Sequence, residues 1–237
     1  MLFFRSALFA TYLLVSALVV GVFCLPALLN RDATIAVGKA WSANVLAALR
    51  VICGLDHRLV GAENLPRGPG LLAVKHQSMW ETLALTSLLE RPCFVLKKEL
   101  GRVPIFGWYC RAAGFVFVDR ADGARALRSM TAGAKRAAAE GAQVVIFPEG
   151  TRAAVGEARP YHPGVAALAR AMAVPVVPVA HDSGRFWTHP GILRRPGTIT
   201  LEVLAPIPAG TPRKPLMAAL TDAIEPATRA LEGEAGP

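Results

Sequence analysis

The chain has 237 residues, enough for one core-forming domain with an appendage and too few for two typical α/β domains. Apolar residues make up 53% of it, and 26 basic against 17 acidic side chains leave a formal charge of +9. Such a chain is too greasy for an ordinary free soluble enzyme and fits a protein lying on an anionic membrane; its charge alone would suit nucleic acid, but no aromatic-basic binding motif accompanies it, so no nucleic-acid partner is expected.

From Ser6 to Asn30 runs an uncharged stretch of 25 residues between Arg5 and Arg31, long enough to cross a bilayer. It reads as a retained anchor, because a cleaved signal has a shorter apolar region and Cys24 follows Phe23 rather than a small residue. Arg31, Lys39, Arg50 and Arg58 come after the run and only Arg5 before it, so the remainder of the chain is expected to face the cytoplasm. The next stretch, Ala33 to Leu55, is helix-like but carries Lys39 and Arg50, which leaves a single span and a two-helix hairpin both open. Gly61, Pro66, Gly68, Pro69 and Gly70 then form a loop. The expected division is a membrane anchor over residues 1–58 and a catalytic-sized domain over residues 59–237.

After that loop, short apolar runs alternate with helical patterns, the signature of an α/β fold: a mixed sheet flanked by helices. The expected strands are Gly70–Lys75, Cys93–Leu96, Phe115–Val118, Gln143–Phe147, Val174–Ala180 and Thr198–Leu204. The expected helices are Glu81–Leu89, Ile105–Ala113, Gly123–Glu140, Gly164–Met172 and Pro215–Leu231, with Ala124, Leu127 and Met130 as the apolar face of the third. The four cysteines, Cys24, Cys53, Cys93 and Cys110, have no paired spacing and read as reduced apolar residues.

Two motifs carry chemistry. In Lys75-His76-Gln77-Ser78-Met79-Trp80-Glu81-Thr82, a histidine follows a buried strand and precedes a helix, at a strand end where α/β proteins place their chemistry. Within one regular helix the pair would diverge, since five steps of roughly 100° separate side chains by about 140°. They meet if His76 is still in the turn and Glu81 is in the first helical turn. Glu81 could then orient the imidazole, leaving its other nitrogen to take a proton from a substrate hydroxyl. The spacing is common, and a satisfied histidine beside a helix-start carboxylate is the bland alternative.

The second motif, Phe147-Pro148-Glu149-Gly150-Thr151-Arg152, follows the apolar run Gln143–Ile146 and so occupies a loop at a strand end. Pro148 limits φ and Gly150 permits conformations that other residues resist. Arg152 can grip a phosphate through two hydrogen bonds, and Glu149 can accept from a glycerol hydroxyl.

With these two segments, Leu96-Lys97-Lys98-Glu99-Leu100 through Phe117-Val118-Asp119-Arg120, and Val174–Ala180, the chain resembles the 1-acyl-glycerol-3-phosphate acyltransferases of the glycerolipid acyltransferase superfamily, over roughly residues 70–182. The resemblance implies His76 as the base that activates the free glycerol hydroxyl and Glu81 as its orienting carboxylate. It implies Lys97 and Arg120 as cationic contacts to the acceptor phosphate, and Glu149, Gly150, Thr151 and Arg152 as acceptor-binding residues. The chain departs from the family pattern in carrying Glu81 where many members have aspartate, and Lys75 where many have asparagine.

The expected function is transfer of a fatty acyl group from acyl-CoA or acyl carrier protein to the sn-2 hydroxyl of lysophosphatidic acid, giving phosphatidic acid at a phospholipid bilayer. No cofactor beyond that thioester co-substrate and no metal are expected. Two alternatives stay open: the same chemistry on another acceptor, such as a lyso-ornithine lipid or a lysophospholipid, and a non-catalytic membrane lipid-binding protein. A serine hydrolase is set aside for want of a G-x-S-x-G elbow.

Overall fold

The computed structural model of the chain describes residues 1–119 and 122–233. The uncharged run does not form one helix. Helix α1, Leu2–Phe23, stops at Cys24, a short helical turn covers Leu25–Leu29, and α2, Arg31–Cys53, runs back. Pro26 cannot donate into the hydrogen-bond ladder of α1, so the chain turns there. Asn30 starts α2 by accepting from the Ala33 N–H at 3.0 Å, and Gly54, at φ 67°, ends it in the left-handed region. Trp41 Nε1 donates to Ser16 Oγ at 3.2 Å and the Tyr12 hydroxyl to Asn44, which locks the two helices antiparallel. The hairpin is thus the observed form, and both its helices are long and apolar enough to cross a membrane.

Strands β1 (Leu55–Val60), β2 (Gly70–Val74), β3 (Pro92–Lys97), β4 (Val116–Val118), β5 (Gln143–Ile146), β6 (Val176–His181) and β7 (Gly197–Val203) form one seven-stranded sheet in the order β1-β7-β6-β2-β5-β3-β4. Strands β4, β3, β5, β2 and β6 are parallel, β7 is antiparallel to β6, and β1 is parallel to β7. The sheet is mixed, as expected. Its first strand was not expected, because Leu55-Asp56-His57-Arg58-Leu59-Val60 is an edge strand with exposed polar residues in its middle.

Helices α3 (Trp80–Leu88), α4 (Phe106–Ala112), α5 (Gly123–Ala139), α6 (Gly164–Met172), α7 (Ser183–Phe186) and α8 (Arg213–Gly233) complete the fold. Successive residues of β2 and β5 point to opposite faces of the sheet, so each face builds its own core. Leu71, Ala73, Val144 and Ile146 pack with α5, α6 and α8. Leu72, Val74 and Val145 pack with α3 and with Phe9, Val45, Leu46 and Leu49 of the hairpin. On α5, Met130 enters the core as expected, but Ala126 replaces Ala124 and Leu127 there, and Leu127 is exposed.

The expected division at residues 58 and 59 therefore cuts through β1, and the hairpin shares a core with the sheet rather than standing apart. Phe9 meets Trp187 edge to face with ring centroids 5.6 Å apart, and Ser6 Oγ accepts from the Arg194 N–H at 2.9 Å. Both contacts fix α1 to the chain around β7.

Candidate active site

The C-terminal ends of β2, β5, β3 and β6 lie side by side, and the motif residues leave the sheet there. Ser78 Oγ accepts from the Trp80 N–H at 3.0 Å, which starts α3 at Trp80 and keeps His76 in the preceding turn. Glu81 is then in the first helical turn, the arrangement that lets a pair five residues apart meet. Its Oε1 receives the His76 Nδ1–H at 2.7 Å.

Glu81 is buried and held on every side. Oε1 also accepts from the Gln77 and Ser78 N–H groups at 3.0 and 2.9 Å, while Oε2 accepts from Ser78 Oγ at 2.7 Å and Ser183 Oγ at 3.1 Å. Burial works to raise this carboxyl, but the neighbouring His181 and His76 imidazoles and the Ser78 hydrogen bond outweigh it and hold Glu81 at about 2. A permanent carboxylate on Nδ1 fixes the imidazole tautomer. Nε2 is left as the basic nitrogen, and among the described residues it has no protein partner. The ring stacks on Phe147 with centroids 4.0 Å apart, which limits its rotation, and it forms part of a cavity wall.

That cavity has a volume of about 1500 Å³. One part is apolar and runs under the hairpin, past Leu14, Leu18, Ile35 and Trp41. The other part is rimmed mostly by basic groups, Lys97, Arg152, Arg159 and His189, with one carboxylate, Glu157, paired with Arg159 at 2.8 Å. The site therefore offers a hydrocarbon channel, a base and a basic rim in sequence.

Apart from the buried Glu81, the expected site residues fall into three sets. His76, Lys97, Gly150, Thr151 and Arg152 line the cavity. Arg152 is oriented by donating from Nε to the Ser78 carbonyl at 3.1 Å and from its terminal nitrogen to His189 Nδ1 at 3.1 Å. Gly150 sits at φ 70°, where a side chain would be strained, so the turn that presents Arg152 requires glycine. Lys97 ends β3 facing the cavity, whereas Lys98 pairs with Asp119 at 2.7 Å. Arg120 lies outside the described residues.

Glu149 forms the third set. Its side chain is buried and absent from the cavity wall. Oε2 accepts from the His76 N–H at 2.7 Å, and Oε1 lies 2.7 Å from Lys75 Nζ as an ion pair without aligned hydrogen-bond geometry. The expectation of a glycerol-binding Glu149 is corrected on these grounds, because both oxygens are committed within the protein.

Other groups come from parts of the chain that no motif marks. His181 Nε2 donates to the Lys75 carbonyl at 2.7 Å and Nδ1 faces the Ser183 N–H at 3.3 Å, the pattern of a neutral ring; burial pushes it below the ordinary histidine range. Its position at the end of the expected strand Val174–Ala180 was the only signal for it. Ser183 and Glu225 carry no signal in the sequence. The N–H groups of His76, Gln77 and Ser78 are spent on Glu149 and Glu81, and that of Gly150 on the Phe147 carbonyl. Among the described residues, the Phe147, Glu149, Thr151 and Arg152 N–H groups of the second motif bond to no protein acceptor, and of these residues Phe147, Thr151 and Arg152 line the cavity.

A histidine with a buried carboxylate on one nitrogen and a free lone pair on the other, set between an apolar channel and a basic rim, can take a proton from a hydroxyl held in the cavity. A family model described as Acyltransferase matches residues 56–182, more than half of the chain. The chain belongs to the acyltransferase family. Its curated relatives include the 1-acyl-sn-glycerol-3-phosphate acyltransferase of Pseudomonas aeruginosa, 36% identical over 84% of this chain and 79% of that protein. The Saccharomyces cerevisiae protein of the same name is 30% identical over 67% of this chain and 54% of its own length, so the chain spans about half of that larger relative. The crystal structure of the 1-acyl-sn-glycerophosphate acyltransferase PlsC of Thermotoga maritima superposes with a TM-score of 0.82 over 100% of both chains at 22% identity, a likeness of fold. This acyltransferase thus shares the hairpin-plus-sheet architecture with a solved protein, and its matched segment contains both motifs.

Proposed function

We propose that the protein is a 1-acylglycerol-3-phosphate O-acyltransferase that moves a fatty acyl group from a thioester to the sn-2 hydroxyl of lysophosphatidic acid. The observation that carries the reading is the His76–Glu81 pair at 2.7 Å with Nε2 open to the cavity. The sn-2 hydroxyl gives its proton to Nε2 while its oxygen attacks the thioester carbonyl carbon. The tetrahedral intermediate collapses, the C–S bond breaks, and the imidazolium returns the proton to the departing thiolate. The products are phosphatidic acid and a free thiol. Glu81 stabilises the imidazolium between the two steps.

The channel beneath the hairpin suits an acyl chain, and Lys97 and Arg152 suit the acceptor phosphate. The Thr151 and Arg152 N–H groups, on residues that line the cavity, are candidates for oxyanion donors. The carrier of the thioester is CoA or acyl carrier protein. The hairpin holds the enzyme on the bilayer with the sheet on the cytoplasmic side, a placement supported by Arg31, Lys39, Arg50 and Arg58.

The test is product formation by detergent-solubilised protein given oleoyl-CoA and each of three acceptors: lysophosphatidic acid, monoacylglycerol and a lyso-ornithine lipid. Phosphatidic acid formed in preference to the other two products supports the reading. Equal use of monoacylglycerol would remove the phosphate from it, and preference for the ornithine lipid would replace the acceptor.

A further inference from the structure

Behind His76, on the side away from the cavity, lies a buried ionic cluster that the acyl-transfer mechanism does not use. Lys75 Nζ is 1% exposed and lies 2.7 Å from Glu149 Oε1, 2.9 and 3.1 Å from the two oxygens of Glu225, and 3.0 Å from the Glu157 carbonyl. The Tyr161 hydroxyl donates to Glu225 Oε1 at 2.7 Å. Two carboxylates thus share one ammonium out of water. An unpaired buried charge is strongly destabilising, so each member of such a cluster depends on the others. Burial pushes Glu149 above the usual carboxylate range against the pull of Lys75, and raises Tyr161, to which Glu225 adds.

The cluster ends on the backbone of the proposed base. The Lys75 N–H donates to the Val179 carbonyl at 3.0 Å, the Lys75 carbonyl accepts from His181, the His76 N–H donates to Glu149, and the His76 carbonyl accepts from the Ala153 N–H at 2.7 Å. Of these four anchors, three are fixed by strand, loop backbone or a neutral imidazole. The fourth, Glu149, keeps its place through the ion pair with Lys75, and Lys75 is held in turn by Glu225 from α8, 150 residues along the chain.

We infer that Glu225 and Lys75 are positioning residues for this acyltransferase: through Glu149 they set the place of His76 against the reacting hydroxyl, which makes α8 part of the catalytic machinery. A shift of about 1 Å at a base is enough to cost about a hundredfold in rate, while substrate binding is untouched. Neither side chain lines the cavity, so the effect belongs in kcat and not in KM. The inference rests on the proposed acyl transfer for its kinetic readout.

The experiment is a double-mutant cycle on the full-length solubilised enzyme with Lys75→Met, Glu225→Gln and the pair, read as kcat and both KM values with oleoyl-CoA and lysophosphatidic acid. Lys75→Met leaves two facing carboxylates without their cation and is expected to lower kcat about tenfold or more, with KM values within about twofold. Because the groups act as a unit, the double variant is expected to be no worse than Lys75→Met alone, since it relieves that repulsion. Losses that multiply, or that fall on KM, overturn the inference. A second readout needs no turnover: the His76 amide proton, bonded to a carboxylate, gives a downfield nitrogen-proton resonance that should move in Glu225→Gln. An unmoved resonance overturns the coupling, and this arm also decides the matter if Lys75→Met does not fold. Absence of wild-type turnover would count against the proposed function alone.

Discussion

Glu81 reaches one methylene further than an aspartate, and the structure shows what the extra length does. It closes the distance to His76 Nδ1 at 2.7 Å while the second oxygen stays on Ser78 and Ser183. Glu81→Asp withdraws the carboxylate by about one C–C bond, ~1.5 Å, and should lower kcat roughly 10- to 100-fold while the KM values hold. A kcat within about twofold of wild type would show that the turn adapts. The same carboxyl governs acid stability. Held at about 2 instead of its ordinary 4.5, the buried carboxylate favours the folded state by roughly 3 kcal/mol. Its pKa is depressed on folding, so this contribution is full above pH 4.5 and drains as pH falls toward 2. Glu81→Gln should flatten the stability curve in that window, measured by denaturant unfolding at successive pH values, and an unchanged slope would contradict it.

Among the elements, α1 is held by a notch. A side chain at Gly21 would place its Cβ 2.3 Å from Ile105 Cγ2, and Tyr109 donates to the Gly21 carbonyl at 3.3 Å. Ile105 cannot retreat freely, because it already sits at φ 62° ahead of α4. Gly21→Val should cost about 1–3 kcal/mol by overpacking, seen as a lower unfolding temperature in detergent; an unchanged temperature would mean that α1 docks elsewhere. Elements were legible in the sequence where a segment carries its own signal. The apolar runs of β2 and β5 and the Ser78-to-Glu81 turn are local patterns, and the motif residues with them. β1 was not legible, because its polar middle is made a strand only by pairing with Gly197–Val203. Glu225 was not legible either. It reads as one more charge on a C-terminal helix until the fold brings it to Lys75, and the burial of Glu149 follows from the same long-range contact.

At the scale of the whole molecule, one apolar element serves two media. Leu14, Leu18 and Gly21 of α1 line the cavity, and the helix also exposes an apolar stripe in which Leu14 and Leu18 stand beside Val15, Val19 and Val22, the last three exposed at 53%, 46% and 46%. Water offers nothing to such a stripe, while a bilayer does. Val15→Lys with Val19→Lys should move much of the protein from the membrane pellet to the soluble fraction at alkaline pH without closing the cavity. Retention in the pellet would place the membrane contact on another surface. On the proposed reading, a hairpin that shares a core with the sheet would bring the channel, the base and the basic rim to one bilayer surface, where a lipid acceptor could enter without leaving the membrane.

In the proposed mechanism His76, oriented by Glu81, deprotonates a lipid hydroxyl for attack on a thioester. The most direct measurement is release of free thiol from oleoyl-CoA, with and without lysophosphatidic acid, by wild type and His76→Ala. Release is expected to require the acceptor and to fall about a thousandfold in the variant. Acceptor-dependent release that survives in His76→Ala at the wild-type rate would contradict it.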